Sequence, residues 1–218
     1  GGRHDEGRQP LLADEHRVEL FAHMRPAREV GGDLYDFFHL DGDRLFVMVG
    51  DVAGKGLAAA LFMSVSKAIT KSTSLRGRIG LDRLIAIVDR ELSRDNPDEL
   101  FVTMMALVID LDSGRIEYCN AGHEPLLVVG GDAGIRILDE GGGPPLCTLD
   151  DCPRSTSEAW LRQDDLLLLV SDGITEAMSG SGQLFGREAL KALLQPSSGN
   201  VRDLGQRVLS AVHDFEQG

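Results

Sequence analysis

Short apolar stretches separated by turn residues fill the middle of this chain, and they constrain its fold more than any other feature. Residues 101–110, 115–120 and 125–129 are divided only by the turn sequences at 112–114 and 121–122. Connections this short join antiparallel strands, whereas parallel strands need a crossover of about a dozen residues or more. The pattern therefore predicts successive antiparallel hairpins, which three later stretches continue: 135–138, 158–161 and 166–170.

Helical stretches lie on both sides of these predicted strands. The apolar run 45–49 suits a buried strand, and after a glycine turn residues 57–71 contain no helix breaker. Residues 81–94 place their apolar side chains at helical spacing, and two further helices are predicted at 185–194 and 200–213. Strands, two helices, many strands and two helices form an order that favours the α+β class, with helices packed outside antiparallel sheet.

The N-terminal residues differ from the rest of the chain. Residues 1–16 are polar and charged, include Pro10, and begin with Gly-Gly-Arg rather than Met. They are predicted to be a linker or tail in a piece of a longer protein. Residues 17–218 are predicted to form one domain, which opens with a mixed strand signal over residues 18–22.

Charge and cysteine content argue against several classes of protein. The 22 Lys and Arg residues against 35 Asp and Glu give a net charge of −13, so no nucleic acid and no membrane contact by this domain is expected. No apolar run approaches the roughly 18 to 20 residues of a membrane span. Cys119, Cys147 and Cys152 form no C-x-x-C pair and have no His at ligand spacing. This favours a cytoplasmic protein without a disulfide framework or a zinc site.

Three aspartates stand beside glycine at predicted strand or turn ends: Asp33, Asp51 and Asp172. Rigid backbone holds a carboxylate at a strand end, and the adjacent glycine lets a metal or phosphate approach the main chain. Carboxylate oxygens suit hard divalent ions such as Mg²⁺ and Mn²⁺. One such aspartate alone is better explained as a turn residue, but the set of three favours a metal site.

Six motifs follow one another along the chain, at residues 25–36, 49–61, 101–105, 120–125, 171–177 and 184–186. In this order, and over about residues 20 to 195, they resemble the metal-dependent PPM serine/threonine phosphatases, and specifically their bacterial SpoIIE/RsbU branch. The resemblance implies an αββα sandwich of two antiparallel β-sheets flanked by helix pairs. It also implies a two-metal site at one end of the sandwich.

The resemblance assigns roles residue by residue. Asp51 would bridge both ions, the main-chain carbonyl of Val52 would add a ligand to one, and Asp172 would ligate the other, with Asp33 near that second metal. Two Mn²⁺ or Mg²⁺ ions would then activate a shared water for attack on phosphorus. Asp33, Asp51 and Asp172 are thus the expected catalytic residues, and no cysteine or serine nucleophile is required.

Two positions depart from the family pattern. Ala53 stands where eukaryotic relatives carry a histidine thought to protonate the leaving group, so the resemblance names no general acid; Lys55 is a candidate phosphate partner. The family's Asp-Asp-x-Thr motif is absent before Gly218, and Asp214 lacks the following Thr. Either the sequence is truncated before that motif or the second metal is weakly held.

The resemblance implies a cytoplasmic phosphatase acting on protein phosphoserine or phosphothreonine. Its expected substrate is a phosphorylated anti-sigma-factor antagonist of the STAS type, in a partner-switching pathway of signal transduction. An upstream sensor domain is expected in the full-length protein. The alternative is a catalytically silent phosphatase-like interaction module, for which Ala53 and the missing Asp-Asp-x-Thr motif argue.

Several other residues allow two interpretations. His123 is interpreted as capping a turn by hydrogen bonding, with substrate contact as the less favoured role. Tyr35 and Asp36 either orient Asp33 or, for Tyr35, face the core. Glu176 either supports Asp172 or is a solvated turn charge.

The helices at 57–71 and 81–94 also allow two interpretations. The first follows the predicted metal-binding loop directly, so its movement would shift Asp51 and Val52, and the pair is a candidate regulatory element. The alternative is ordinary core packing by six apolar residues: Leu61, Val65, Ile69, Leu84, Ile85 and Val88.

Overall fold

The computed structural model describes residues 17–25, 31–130, 134–194 and 200–218. The predicted linker at 1–16 lies outside them. The chain divides into two compact units, each assembled from separate stretches. The large-sheet unit takes the described residues of Pro26–Pro125 and Asp139–Leu161, and the small-sheet unit takes those of Gly1–Arg25, Leu126–Leu138 and Arg162–Gly218.

Eight strands and five helices occur in the described part of the chain. In chain order they are β1 (Leu34–His39), β2 (Arg44–Val52), α1 (Leu57–Ser74), α2 (Leu81–Arg94), β3 (Val102–Asp110), β4 (Arg115–Ala121), β5 (Leu126–Gly130), β6 (Gly134–Leu138), β7 (Ser157–Trp160), β8 (Leu166–Leu168), α3 (Asp172–Thr175), α4 (Gly186–Leu193) and α5 (Val201–Gln217).

The large-sheet unit contains a five-stranded antiparallel sheet in the order β1-β2-β3-β4-β7. Its core lies between this sheet and α2, whose apolar stripe includes Leu84, Ile85 and Val88. These side chains belong to one cluster with Phe46 and Met104 of the central strands, and all five are at most 3% exposed. Burial of this stripe explains why α2 spans the predicted 81–94 residue for residue.

The small-sheet unit contains a three-stranded antiparallel sheet in the order β6-β5-β8. Every residue of the central strand β5 is buried. Leu127 of this strand belongs to an apolar cluster with Leu190 of α4 and with Leu204 and Val208 of α5. The predicted α+β class, with two antiparallel sheets and accompanying helices, is confirmed.

One predicted strand is wrong. Residues 18–22 belong to no strand, because no strand among the described residues pairs with them. The ring of Phe21 instead packs against Gly205 of α5, under the guanidinium of Arg202 at 5.6 Å from the ring centroid. Phe21 in this segment therefore packs on a helix rather than on a sheet.

Small and hydroxyl-bearing residues fill the buried side of α1, among them Ser66 and Thr70. Each hydroxyl donates to a main-chain carbonyl one turn earlier at 2.7 Å, so it is buried with its hydrogen bond made. The expected core packing of Leu61 and Val65 is wrong, because they are 58% and 47% exposed. The other four expected core residues are buried or partly buried: Ile69, Leu84, Ile85 and Val88.

None of the helices in the described ranges combines the length and the apolar character needed to cross a bilayer.

Candidate active site

Asp51 and Val52 end the long strand β2. Asp51 is half-buried and lies opposite Thr103 of β3, while Val52 is buried. The chain then turns into α1 through Gly56, whose φ of 81° is in the left-handed region that favours glycine. An interior strand of the sheet, paired on both sides, therefore holds the Asp51 backbone, as expected for a ligand at a strand end.

Gly32 brings a second predicted ligand segment against this strand end. The Val52 N–H donates to the Gly32 carbonyl at 3.2 Å. A Cβ on Gly32 would lie 2.5 Å from the Val52 carbonyl oxygen and 2.7 Å from Asp51 Oδ1, so only glycine permits the approach. Asp33 follows directly and leads into β1, so the predicted site residues Asp33, Asp51 and Val52 lie at adjoining strand ends.

His123 bonds differently from its sequence interpretation. The turn after β4 is closed by Asn120, whose Oδ1 accepts from the His123 N–H at 2.7 Å and whose Nδ2 donates to the His123 carbonyl at 3.1 Å. The imidazole Nδ1 lies 2.9 Å from the Thr103 hydroxyl. The capping side chain is therefore Asn120, and the histidine ring reaches the strand opposite Asp51.

Thr103 and Asn120 have no role in the sequence interpretation. Both lie inside motifs that carry the family resemblance, 101–105 and 120–125, and that membership is the signal in the sequence that marks them. Their bonds depend on the pairing of β3 with β2 and β4, which a single sequence does not specify residue by residue.

Asp172 belongs to the small-sheet unit and begins the single-turn helix α3 after Ser171. It is exposed. Its main-chain carbonyl accepts from the Glu176 N–H at 2.7 Å. Glu176 is also exposed, so the bond between these two residues joins main-chain atoms.

Asp36 contacts α1. Its buried carboxylate accepts from the Lys71 ammonium at 3.2 Å and from the Phe37 N–H at 2.9 Å. The Lys71 ammonium also lies 4.5 Å from the centroid of the Phe38 ring. Tyr35 is a strand residue of β1, as one interpretation has it, but it is partly buried rather than in the core, and its ring stacks on Phe37 with 6.3 Å between the ring centroids.

The oxygen donors of the large-sheet unit are the carboxylates of Asp33 and Asp51 and the main-chain carbonyl of Val52. Over the described ranges, no group of three or more His, Cys, Asp or Glu side chains is arranged to hold a metal ion. A main-chain carbonyl is not a ligand of that kind, and Asp51 Oδ1 and the Val52 oxygen both lie close to Gly32. This hard, oxygen-only donor set fits Mg²⁺ or Mn²⁺.

Cys119 and Cys147 offer no activated nucleophile. Burial raises the pKa of the Cys119 thiol to about 11 and also raises the pKa of Cys147. A thiol acts as a nucleophile only as the thiolate, and a raised pKa keeps it protonated near neutral pH.

Comparison with known proteins agrees with the sequence resemblance. Residues 41–218 match the sequence profile of the family described as Stage II sporulation protein E (SpoIIE). The phosphoserine phosphatase RsbP of Bacillus subtilis is 27% identical over 208 residues, which cover 94% of this chain and 49% of RsbP. The chain spans only 33% to 62% of the length of the first curated relatives that it matches.

Solved structures share the fold. The RsbU and RsbW domains of Rv1364c from Mycobacterium tuberculosis match with a TM-score of 0.71 and 27% identity, over 86% of this chain and 52% of that one. The PP2C phosphatase domain of SpoIIE from Bacillus subtilis, with a fragment of its regulatory domain, matches with a TM-score of 0.74 and 20% identity, over 87% and 55%. The predicted resemblance to the SpoIIE/RsbU branch is confirmed, and the chain belongs to the SpoIIE family.

Proposed function

We propose that this chain is a cytoplasmic, metal-dependent phosphatase of protein phosphoserine and phosphothreonine. Family membership and the name of RsbP, a phosphoserine phosphatase, support the reaction. The structural observation that carries the proposal is the bond from the Val52 N–H to the Gly32 carbonyl. It joins the segment bearing Asp33 to the strand end bearing Asp51.

The proposed substrate is a phosphorylated anti-sigma-factor antagonist of the STAS type, and the proposed setting is a partner-switching pathway with an upstream sensor domain. Support comes from the matched Mycobacterium tuberculosis structure, which contains an RsbU and an RsbW domain of one protein. The surface charge is compatible with a protein substrate, because a net charge of −13 would repel nucleic acid.

The proposed cofactors are two Mn²⁺ or Mg²⁺ ions. Asp51 and the Val52 carbonyl would hold them, with Asp33 beside the second ion, and Asp172 enters the proposal through its Ser171-Asp172-Gly173 motif alone. When bound, the ions would lower the pKa of a shared water and neutralise the charge that develops on the phosphoryl oxygens.

The chain's own residues fix the backbone of the proposed ligands through strand pairing. The β2–β3 ladder continues past the site, because the Ala53 N–H donates to the Phe101 carbonyl at 2.9 Å. The methyl group of Ala53 has no proton to donate, so no general acid stands at that position. The exposed Lys55 is the proposed partner of the phosphate.

The deciding experiment measures phosphate release from a phosphoserine STAS protein with saturating Mn²⁺. We expect turnover that a chelator abolishes, and Asp51→Asn should lower it on the order of 100-fold. Asp98→Asn, which removes the same charge from an exposed position, is the control. Absence of turnover in the wild type, with no change in Asp51→Asn, would establish the silent interaction module instead.

Metal binding gives a second measurement. Calorimetry should detect Mn²⁺ binding that Asp33→Asn, Asp51→Asn and Asp172→Asn each weaken, and Mn²⁺ should raise the melting temperature by mass action on the folded state. A protein that binds no Mn²⁺ and shows no thermal shift would contradict the proposed cofactors.

A further inference from the structure

The main-chain peptide between Asp51 and Val52 has a partner at each of its polar ends. Its N–H, on Val52, donates to the Gly32 carbonyl at 3.2 Å. Its carbonyl, on Asp51, belongs to the Asp51–Thr103 pair of the β2–β3 ladder, which exchanges main-chain hydrogen bonds, and it also lies 3.4 Å from the Thr103 hydroxyl. This peptide links the Asp51 carboxylate to the Val52 carbonyl, so its orientation sets the separation and direction of two proposed metal ligands.

The direction of the Thr103 hydroxyl depends on His123. Nδ1 of that ring lies 2.9 Å from the hydroxyl oxygen. A hydroxyl has one proton to donate. When Nδ1 carries its proton, the ring donates to Thr103 and the hydroxyl proton is directed to the Asp51 carbonyl. When Nδ1 is bare, the hydroxyl donates to the ring and the Asp51 carbonyl receives no bond from it.

The 3.4 Å separation is long for a hydroxyl-to-carbonyl hydrogen bond, so this contact alone is weak. The hydroxyl adds a second contact to the carbonyl end of a peptide that the β2–β3 ladder holds at that end and Gly32 holds at the other. Hydrogen-bond partners orient metal ligands, and the loss of such a partner typically lowers metal affinity.

Asn120 holds His123 in place. Both main-chain polar groups of His123 are bound by the Asn120 amide, at 2.7 and 3.1 Å. Asn120 is itself fixed, since its carbonyl accepts from the Gly143 N–H at 2.9 Å. These three hydrogen bonds fix the backbone that carries the imidazole, and the ring contacts Thr103 from that position.

We propose that His123, acting through the Thr103 hydroxyl, is a positioning residue for the metal-binding peptide Asp51–Val52. The proposal rests on the proposed function, because it assigns a role toward the same metal site. It gives a physical role to two motifs, 101–105 and 120–125, that the proposed ligand set does not use.

Thr103→Val tests the hydroxyl with little change of shape. Titration of the purified protein with Mn²⁺ alone, followed by calorimetry, should give a dissociation constant raised about 10-fold. Thr103→Ser keeps the hydroxyl and should recover most of the affinity. Thr70→Val is the matched control, because it removes a buried hydroxyl bond of the same unit inside α1; it should lower stability and leave Mn²⁺ affinity unchanged.

His123→Ala should weaken Mn²⁺ binding as Thr103→Val does. The amide in His123→Asn keeps a donor near the Nδ1 position, so this variant should retain part of the Mn²⁺ affinity that His123→Ala loses. The double variant Thr103→Val/His123→Ala should lose no more affinity than either single variant, because the two side chains act as one unit. In turnover, the Mn²⁺ concentration for half-maximal activity should rise while KM for the phosphoprotein stays constant.

The proposal is overturned if Thr103→Val and His123→Ala bind Mn²⁺ as the wild type does, or if Thr70→Val weakens binding equally. If Asp51→Asn weakens Mn²⁺ binding and Thr103→Val does not, the positioning role fails and the proposed function stands. If the wild type binds no Mn²⁺, both fail.

Discussion

Arg154 and Asp89 form an ion pair at 2.7 Å whose side chains are only 0% and 7% exposed. The Asp89 carboxylate also accepts from the Cys147 N–H at 2.7 Å, and the Arg154 guanidinium donates to the carbonyls of Pro144 and Pro145 at 3.1 and 2.9 Å. The pair thus fastens α2 to the segment before β7, which also supplies the Gly143 bond to Asn120.

Arg154→Met should lower the free energy of unfolding by about 3–5 kcal/mol, because it leaves a buried carboxylate without its cation. Urea unfolding measures the loss. Arg90→Met provides the matched control, since its ion pair with Asp151 has side chains that are 64% and 85% exposed and should contribute less than about 1 kcal/mol. Equal losses in the two variants would mean that the buried pair contributes no more than an exposed one.

Gly32→Ala should weaken Mn²⁺ binding more strongly than it lowers stability. The new Cβ would lie 2.5 Å from the Val52 oxygen and 2.7 Å from Asp51 Oδ1, so these two atoms must shift. Gly42→Ala makes the same change in open space and should bind Mn²⁺ as the wild type does. Calorimetry and thermal melting of both variants separate the two effects, and unchanged Mn²⁺ affinity in Gly32→Ala would contradict the close approach.

Leu61→Ala should change the free energy of unfolding by less than about 0.5 kcal/mol, since this side chain of α1 is exposed. Leu84→Ala, the same substitution in the core, should cost about 2–5 kcal/mol. Denaturant unfolding compares the two. A large loss in Leu61→Ala would show that the side chain is covered in solution.

Raising the pH should destabilise the wild type more than Cys119→Ala between about pH 9 and pH 11. The unfolded thiol ionises near its ordinary pKa of about 8.5, while burial raises the folded pKa to about 11. The folded state therefore retains a proton that the unfolded state loses, and stability falls across this interval by on the order of 2 kcal/mol. Below about pH 8 the two proteins should show the same pH dependence, and parallel alkaline slopes would contradict the shift.

The sequence predicts those helices and hairpins that a short stretch of neighbouring residues defines. α2 follows from one apolar stripe, and the β3–β4 hairpin follows from its short turn. The strand β1 was not predicted, because Asp36 interrupts its apolar run. That carboxylate is tolerated inside the sheet because Lys71 binds it, from 35 positions further along the chain.

The candidate site also contains residues that the local sequence marks and contacts that it does not. Asp33, Asp51 and Asp172 are marked by the glycines beside them, and the resemblance adds Val52 to the set. The bond between Thr103 and His123 spans 20 positions and two paired strands. Strand register decides such a contact, and register depends on pairing across the whole sheet.

Each unit is built from stretches that are separate in the sequence, and this affects how the chain folds during synthesis. The large-sheet unit has all its strands once β7 is made, whereas β5 and β6 are made earlier and wait for β8, α4 and α5. Every residue of β5 is buried in the finished protein, so a growing chain presents Leu-Leu-Val-Val uncovered until the C-terminal segment emerges. We therefore expect this strand to be prone to aggregation and to capture by chaperones while the chain is being made.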